Sequence, residues 1–196
     1  MSHDHEHSAA LSNRVKALVA SLHERSILTE AQLDATVESF LLHAKPPNAF
    51  RMVARAWVDP AYAALLLSDA GAAARALDID LSFWAPVTLR AVANTEEMHN
   101  MIVCTLCSCY PIALLGPSPA WYKSEAYRAK VVRDPSGVLE EFGVTLAQTK
   151  EITVWDSTAA LRYMVVPQRP VGSDEMTEPQ LAELLTRNGI IGTALL

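Results

Sequence analysis

The stretch Val103-Cys104-Thr105-Leu106-Cys107-Ser108-Cys109 contains all three cysteines of this 196-residue chain. They are unsuited to a disulfide framework, because cysteines this close in sequence cannot join distant parts of a fold. Cysteines clustered in this way are typical of metal binding or of redox chemistry. We therefore interpret residues 104–109, called here the cysteine loop, as the functional centre that the rest of the chain supports.

A structural zinc site is one interpretation of the cysteine loop. Zinc prefers a closed tetrahedron of four ligands, and His99 is the nearby residue that could join the three cysteines. The C-x-C tripeptide would crowd Cys107 in such a tetrahedron. We therefore expect His99 to be a hydrogen-bonded structural histidine, and the zinc site stays open as an alternative.

The C-x-C tripeptide favours a different arrangement. From Cys107 to Cys109 the possible donors are a sulfur, the backbone nitrogens of Ser108 and Cys109, and a second sulfur. If both amides lose their protons, these four donors can surround a metal in one plane, with Cys104 at an axial position. The opposite position then stays open for water or substrate, as in a catalytic site. Only a strongly Lewis-acidic transition-metal ion, such as a trivalent one, would displace two amide protons.

The segments that flank the cysteine loop predict a mixture of strands and helices. β-Branched and aromatic residues concentrate in four runs, which predict strands at 88–92, 101–103, 151–155 and 162–166. Capping boxes mark two helix starts, at Thr29 with Gln32 and at Thr177 with Gln180. Apolar spacing and helix-starting residues together predict helices at 11–22, 33–41, 48–57, 60–77, 121–132, 134–141 and 177–187.

This order of elements predicts an α+β fold with three parts. Residues 1–8 are expected to form a disordered tail of His and acidic residues, and residues 9–87 a helical N-terminal arm. Residues 88–196 are expected to form a metal-binding α+β catalytic domain, with the cysteine loop between its strands and helices. The arm contains no evident set of acid, base and nucleophile, so we place the chemistry in the second half of the chain.

The composition restricts the class of protein. Hydrophobic residues make up 51% of the chain and charged residues 19%, which is enough apolar material for a buried core. The 16 Lys and Arg residues against 22 Asp and Glu residues give a net charge of −6, which argues against nucleic-acid binding. No apolar run is long enough to span a membrane, and the N-terminus does not resemble a secretory signal. The cytoplasm is therefore the predicted location.

The cysteine loop resembles the metal-binding loop of the nitrile hydratase α-subunit family, which also includes the γ subunit of thiocyanate hydrolase. The resemblance extends over residues 48–192, in which further segments keep the order and spacing of the family. These segments are residues 54–60, 94–95, 99–100, 115–116, 121–124, 127–128, 154–157, 162–163, 167–170, 186–187 and 191–192.

The resemblance implies both a metal site and a reaction. Cys104, Cys107 and Cys109 are expected to bind a low-spin trivalent ion, together with the backbone nitrogens of Ser108 and Cys109. Thr105 resembles the cobalt-type loop, so Co(III) is expected rather than Fe(III). Family members carry Cys107 as a sulfinic acid and Cys109 as a sulfenic acid.

The reaction that the resemblance implies is hydration of a nitrile to an amide, a lyase activity. The metal either polarises the nitrile or activates an oxygen nucleophile, and the sulfenate oxygen of Cys109 is a further candidate nucleophile. Cys109 and Ser108 are thus the expected catalytic residues. Family members often have Trp-Pro shortly after the loop, whereas Ile112 and Ala113 stand here, which should widen or reshape the substrate pocket.

The charge of an oxidised cysteine loop implies partners. Buried negative charge needs cations nearby, and the loop contains no arginine of its own. The family supplies arginines from a β subunit, so a heterodimer or heterotetramer is expected, with the β subunit either as one chain or split into two. A small-molecule nitrile and a metallochaperone or activator are the other expected partners. Arg128, Arg162 and Arg169 are candidates for holding the loop, and no choice among them follows from the sequence.

Two alternative functions stay open. The γ subunit of thiocyanate hydrolase has a His-rich acidic N-terminus and a Cys-Tyr-Pro step, which residues 109–111 share. Residues 154–157 and 167–170 are closer to nitrile hydratases. The other alternative is a non-catalytic metal-binding module, in which the cysteines only sequester an ion.

Overall fold

The structure is a computed structural model, which describes the backbone of residues 2–84 and 86–196 and the side chains from residue 9 onward, Ala85 excepted. The chain divides into two compact units, Met1–Leu42 and His43–Leu196. No helix in the described ranges is both long enough and apolar enough to cross a membrane.

The first unit consists of helix α1 (Ser2–Glu24) and most of helix α2 (Glu30–His43). The capping box at the start of α2 is confirmed, since the Thr29 amide donates to Gln32 Oε1 at 2.9 Å and the Gln32 amide to Thr29 Oγ1 at 3.2 Å. Helix α1 begins within the segment that we expected to be a disordered tail.

Three helices open the second unit: α3 (Pro47–Val58), α4 (Pro60–Ser68) and α5 (Ala70–Arg75). The sequence analysis predicted one helix over 60–77, and this is wrong. Asp69 ends α4, and its side chain accepts a hydrogen bond from the Ala72 amide at 2.8 Å, which starts α5. A capping residue inside an apolar run therefore divides what the spacing predicts as continuous.

Four strands follow, as predicted: β1 (Thr88–Ala93), β2 (Met98–Val103), β3 (Glu151–Asp156) and β4 (Leu161–Val166). They form two parallel pairs, β1 with β4 and β2 with β3. In the second pair Val103 lies opposite Asp156, so the ends of β2 and β3 meet at the same edge. Parallel pairing requires long crossovers, which residues 104–150 provide for β2 and β3.

The remaining helices are short because side-chain caps interrupt them. The predicted helix over 121–132 is two helices, since Ser124 Oγ accepts from the Tyr127 amide at 3.1 Å and starts a new one. The predicted last helix, over 177–187, ends early at Glu183, and Thr186 caps a separate helix that follows. One four-residue helix after the cysteine loop was not predicted. In order these helices are α6 (Ile112–Leu115), α7 (Ala120–Lys123), α8 (Glu125–Val131), α9 (Pro135–Glu141), α10 (Glu178–Glu183) and α11 (Arg187–Ile191).

A single core joins the helices and strands of the second unit. Met52 of α3 and Leu66 of α4 are fully buried, as are Met101 of β2 and Met164 of β4. Helices α3–α5 therefore pack with the strands, although the sequence analysis assigned them to the arm. The compact unit begins at residue 43 and not at residue 88, because the apolar faces of these helices find their burial against the strands.

Gly192 fixes the C-terminal segment against β2. Its φ is +87°, and a Cβ added there would lie 1.9 Å from the Asn100 carbonyl oxygen. Only glycine allows both this conformation and this approach. The Gly192 carbonyl accepts a hydrogen bond from His99 Nε2 at 2.8 Å. The segment around Gly192 thus packs against β2, the strand that leads into the cysteine loop.

Candidate metal centre

The cysteine loop begins where β2 ends. The last five residues of β2 are buried, and Cys104, which follows them, is only 1% exposed. The Ser157 amide donates to the Val103 carbonyl at 2.7 Å and so continues the pairing of β2 and β3 by one step. The first cysteine therefore has a position fixed by the sheet.

The three cysteine sulfurs converge. Cys107 Sγ lies 3.3 Å from Cys104 Sγ and 3.0 Å from Cys109 Sγ, and all three atoms lie within 4.8 Å of one another. The Cys107 amide also donates to Cys104 Sγ at 3.3 Å, which closes the turn. Three soft donors at one point fit a transition-metal ion. The donor set thus agrees with the metal site expected from the sequence.

The environments of Cys107 and Cys109 differ. Burial raises the pKa of the Cys109 thiol to about 12, and the neighbouring Cys107 and Cys104 add to the effect. Cys107 is exposed, and hydrogen bonds from the Cys109 and Cys104 thiols lower its pKa to about 7. In the metal-free loop the first thiolate therefore forms on Cys107. A metal cation that binds there must displace the proton of Cys109.

Asp156 anchors the loop on the side of β3. Its carboxylate accepts from the Thr105 amide at 2.9 Å and from the Thr105 hydroxyl at 2.5 Å. The sequence analysis used Thr105 only as a marker of the cobalt-type loop, whereas the structure gives its hydroxyl a contact. Asp156 was missed as a site residue. The signal that could have found it is an acidic residue directly after a β-rich run, because such residues meet at the carboxyl edge of parallel strands.

Of the three arginines considered from the sequence, Arg128 contacts the backbone of the loop. It lies on α8, and its Nη1 is 3.4 Å from the Thr105 carbonyl oxygen and 3.3 Å from that of Cys107. Arg162 on β4 is close enough to Cys109 to oppose the rise in its thiol pKa by charge, though burial outweighs it. Arg169 instead donates to the Ser173 and Asp174 carbonyls.

Buried tyrosines support the loop from within. Tyr122 donates from its hydroxyl to the Cys109 carbonyl at 2.9 Å, and Tyr127 to the Ile102 carbonyl at 2.7 Å. Burial raises the pKa of both hydroxyls, so they stay protonated and act as donors. Trp121 packs edge-on against Tyr127 and Phe142.

His99 lies outside the sulfur cluster. Its Nε2 donates to the Gly192 carbonyl, and its Nδ1 lies 3.3 Å from Asn94 Nδ2. Burial lowers the pKa of His99, so the ring stays neutral. Because both ring nitrogens are occupied, the zinc tetrahedron with His99 as fourth ligand does not fit. The expected structural role of His99 agrees with these contacts.

An apolar cavity of about 190 Å³ borders the residues that follow the loop. Ile112 and Ala113 line it, and Arg162 is the one charged residue among its described lining residues. The other lining residues are Leu81, Trp84, Val87, Leu89, Tyr110, Pro111 and Leu114. A cavity of this size and lining is large enough for a benzene-sized apolar group.

Comparison with known proteins gives a consistent result. The family described as nitrile hydratase, alpha chain, matches residues 9–194. The low-molecular weight cobalt-containing nitrile hydratase subunit alpha of Rhodococcus rhodochrous is 45% identical over 182 residues, which cover 93% of this chain and 87% of that protein. The thiocyanate hydrolase subunit gamma of Thiobacillus thioparus is 43% identical over 159 residues, covering 76% of this chain and 65% of that protein.

A solved structure agrees with these relatives. A double mutant of the Fe-type nitrile hydratase from Comamonas testosteroni Ni1 matches with a TM-score of 0.88 at 38% identity, over 96% of this chain and 91% of that chain. The similarity therefore covers nearly the whole chain, and it extends to both cobalt-containing and Fe-type proteins.

Proposed function

Because the chain belongs to the nitrile hydratase alpha-chain family, we propose that it is the alpha subunit of a cobalt-type nitrile hydratase, which hydrates a nitrile to an amide. The observation that carries this proposal is the convergence of the three cysteine sulfurs within 4.8 Å at the end of a buried strand. No acyl-enzyme nucleophile of the Ser–His–Asp kind is needed for this reaction.

The proposed metal ligands are the sulfurs of Cys104, Cys107 and Cys109 and the backbone nitrogens of Ser108 and Cys109. The proposed ion is Co(III) rather than Fe(III), supported by Thr105 and by the cobalt-containing relative. When bound, such an ion supplies Lewis acidity toward the nitrile. The chain's own part is to hold five donors at one point and to leave one side of them accessible.

We further propose that a peroxide oxidises Cys107 to a sulfinic acid and Cys109 to a sulfenic acid, with one peroxide O–O bond broken and reduced for each oxygen atom added to sulfur. Oxidation follows thiolate character and exposure, and Cys107 has both: it is exposed, and its pKa is lowered to about 7. Cys109 is buried, so it should stop at the first step of oxidation. A sulfenate oxygen on Cys109 would lie at the buried side of the loop, where it is a candidate nucleophile.

The apolar cavity beside Ile112 and Ala113 is the proposed site for the hydrocarbon part of the nitrile. Its lining contains mostly aliphatic and aromatic side chains, which bind such a group through the hydrophobic effect. Apolar walls also exclude bulk water, so that a nucleophile held by the loop meets the substrate in a low-dielectric site.

The proposed partner is a β subunit, in a heterodimer or heterotetramer. The relatives are themselves named as subunits. Leu11, Val15 and Leu18 of α1 are each more than half exposed, although they follow helical spacing, so a partner that covers them is supported. A metallochaperone or activator is proposed for metal insertion. The cytoplasmic location stays a prediction.

The decisive experiment expresses the chain with its β subunit in cobalt-containing medium. Metal analysis should find about one cobalt per chain, and mass spectrometry of the peptide with residues 104–109 should find two added oxygens on Cys107 and one on Cys109. The purified complex should convert a nitrile to its amide. A fully active complex without metal would contradict the proposal.

The second candidate is a thiocyanate hydrolase gamma subunit. It is favoured by the 43% identity to the Thiobacillus thioparus protein and by the shared Cys-Tyr-Pro step at residues 109–111. The same complex should therefore be offered a nitrile and thiocyanate in parallel. Loss of thiocyanate with no loss of nitrile would establish this candidate instead. Cobalt that exchanges freely with chelators and supports neither reaction would indicate a non-catalytic metal-binding module.

A further inference from the structure

Arg128 contacts a peptide group that the proposed metal site uses. Its Nη1 lies 3.3 Å from the carbonyl oxygen of Cys107. That oxygen belongs to the same peptide group as the Ser108 nitrogen, which is one of the proposed ligands. The second contact, to the Thr105 carbonyl at 3.4 Å, holds the same guanidinium over the turn.

Metal binding changes the charge of this peptide group. When the Ser108 nitrogen becomes a ligand, its lone pair forms the bond to the metal and its proton leaves to solvent. Amide resonance spreads the remaining negative charge over the nitrogen and the Cys107 carbonyl oxygen. A guanidinium that donates to this oxygen then makes a charge-assisted hydrogen bond, which is about twice as strong as a neutral one.

The surroundings of Arg128 suit this task. Within the described residues no carboxylate lies within ion-pair distance of Arg128, so its charge is not neutralised by a neighbouring acid. Its Nε is buried and has no hydrogen-bond partner there. The side chain as a whole is half-buried, which weakens the screening of its charge by water. The cation is therefore available to an anionic group at the loop.

The second proposed nitrogen ligand lacks such support. The Cys109 nitrogen shares its peptide group with the Ser108 carbonyl oxygen. No described side chain donates a hydrogen bond to that oxygen. The Cys109 carbonyl, which accepts from Tyr122, belongs to the next peptide group. Support for the two nitrogens is thus asymmetric.

We propose that Arg128 is a positioning residue that stabilises the negatively charged Cys107–Ser108 peptide group and so favours the Ser108 nitrogen as a metal ligand. This inference rests on the proposed metal site. It assigns a cation of this chain itself to the loop, in addition to the arginines expected from the β subunit.

The test compares Arg128→Gln, Arg128→Lys and Arg133→Gln in the cobalt-loaded complex with its β subunit. Arg133 is the matched control, because it lines a surface groove together with Arg128 and Thr105 but makes no hydrogen bond to the loop. Arg128→Gln should shift the sulfur-to-cobalt absorption band. It should also release cobalt to a chelator about tenfold faster, because the free energy of a hydrogen bond to a charged group corresponds to a factor of about ten. Arg128→Lys should lie between wild type and Arg128→Gln, and Arg133→Gln should match wild type.

A thermal measurement separates this role from ordinary structural support. The proposed role predicts that Arg128→Gln reduces the gain in Tm on cobalt loading, whereas a structural role would lower the Tm of loaded and metal-free complexes equally. If Arg128→Gln does not assemble, Arg128→Lys decides by the same band and release rate. An unchanged band and release rate in the assembled Arg128 variants would overturn the inference. A wild-type complex that binds no cobalt would instead overturn the proposed function.

Discussion

Strand β2 and the cysteine loop are neighbours in the sequence, yet the chain fixes them in different ways. Residues 99–103 of β2 are buried and are held by pairing with β3 and by apolar packing. Residues 106–108 of the loop are exposed. Polar contacts from Asp156, Arg128 and Tyr122 fix the loop instead.

Within a dozen residues, β2 therefore contributes mainly to stability and the loop mainly to the proposed metal chemistry. Because apolar burial and ladder hydrogen bonds hold β2, we expect its stability to be insensitive to whether a metal is bound. The loop contributes little buried apolar area, so its geometry depends on a few hydrogen bonds and, in the proposed function, on the metal. Substitutions in β2 should therefore change the free energy of unfolding, and substitutions in the loop should change metal content and activity.

The largest expected effect is on activity, from Cys107→Ala. Removing the middle sulfur should abolish cobalt binding and reduce nitrile hydration to background, because the remaining sulfurs no longer surround the ion. The free energy of unfolding of the metal-free chain should change by less than about 0.5 kcal/mol, since Cys107 is exposed. Metal analysis, nitrile turnover and urea unfolding check the three statements.

Met101→Ala is the matched substitution in the strand. Met101 is fully buried, so the free energy of unfolding should fall by about 2–5 kcal/mol. Cobalt per folded chain should stay near that of wild type. If Cys107→Ala destabilised the metal-free chain as much as Met101→Ala, the separation between strand and loop would be refuted.

Gly192→Ala should give the next largest effect, on stability. The added Cβ would lie 1.9 Å from the Asn100 carbonyl oxygen, and the residue has φ of +87°. Overpacking and backbone strain together should cost about 3 kcal/mol. Differential scanning calorimetry of the metal-free chain measures the change.

Gly143→Ala separates the two contributions. Gly143 has φ of +76°, and an added Cβ there would meet nothing within 4 Å. Backbone strain alone should destabilise this variant, by about 1 kcal/mol. Equal losses at both glycines would mean that contact with β2 adds nothing, and the role of Gly192 in holding the strand would be disproved.

Asp156→Asn should have a smaller effect, because it alters a contact between strand and loop. Asparagine can still accept from the Thr105 amide but lacks the charge that strengthens both hydrogen bonds. The free energy of unfolding should fall by about 1 kcal/mol, and the fraction of chains that retain cobalt should fall as well. Asp174→Asn, at an exposed carboxylate that makes no hydrogen bond to the loop, is the control. Full cobalt retention in Asp156→Asn would show that the anchor is dispensable.

The sequence predicted the strand better than the contacts of the loop. Runs of β-branched residues identify all four strands, and the cap at Thr29 is where the residue types place it. Such signals are local, so they survive without knowledge of the fold. The helix caps at Asp69, Ser124 and Thr186 were not predicted, because a polar residue within a helical pattern looks like an ordinary surface residue.

The clustering of the cysteines was also predictable, because three sulfurs within six residues must lie close together. Asp156 is 51 residues from Thr105, and their contact depends on the parallel register of β2 with β3. Arg128 reaches the loop only through the orientation of α8. These contacts join distant segments, and one sequence contains no local signal for them.

The smallest expected effect is on the pH dependence of stability, and it comes from His99 in β2. Burial, and to a lesser degree the charge of Lys150, lowers the pKa of His99 below its ordinary value of 6.5. The unfolded chain therefore binds a proton near pH 6.5 that the folded chain does not bind until lower pH. It follows that the contribution of His99 to stability is constant above about pH 7 and falls as pH drops through 6.5.

His99→Gln removes this titration while keeping an amide that can donate to the Gly192 carbonyl. Urea unfolding between pH 5 and pH 8 should show a shallower loss of stability on acidification than in wild type. The difference between the two proteins isolates His99 from the other histidines. Identical pH dependence would place the acid sensitivity elsewhere, whereas the expected difference would assign part of it to the buried strand and not to the exposed cysteines that follow it.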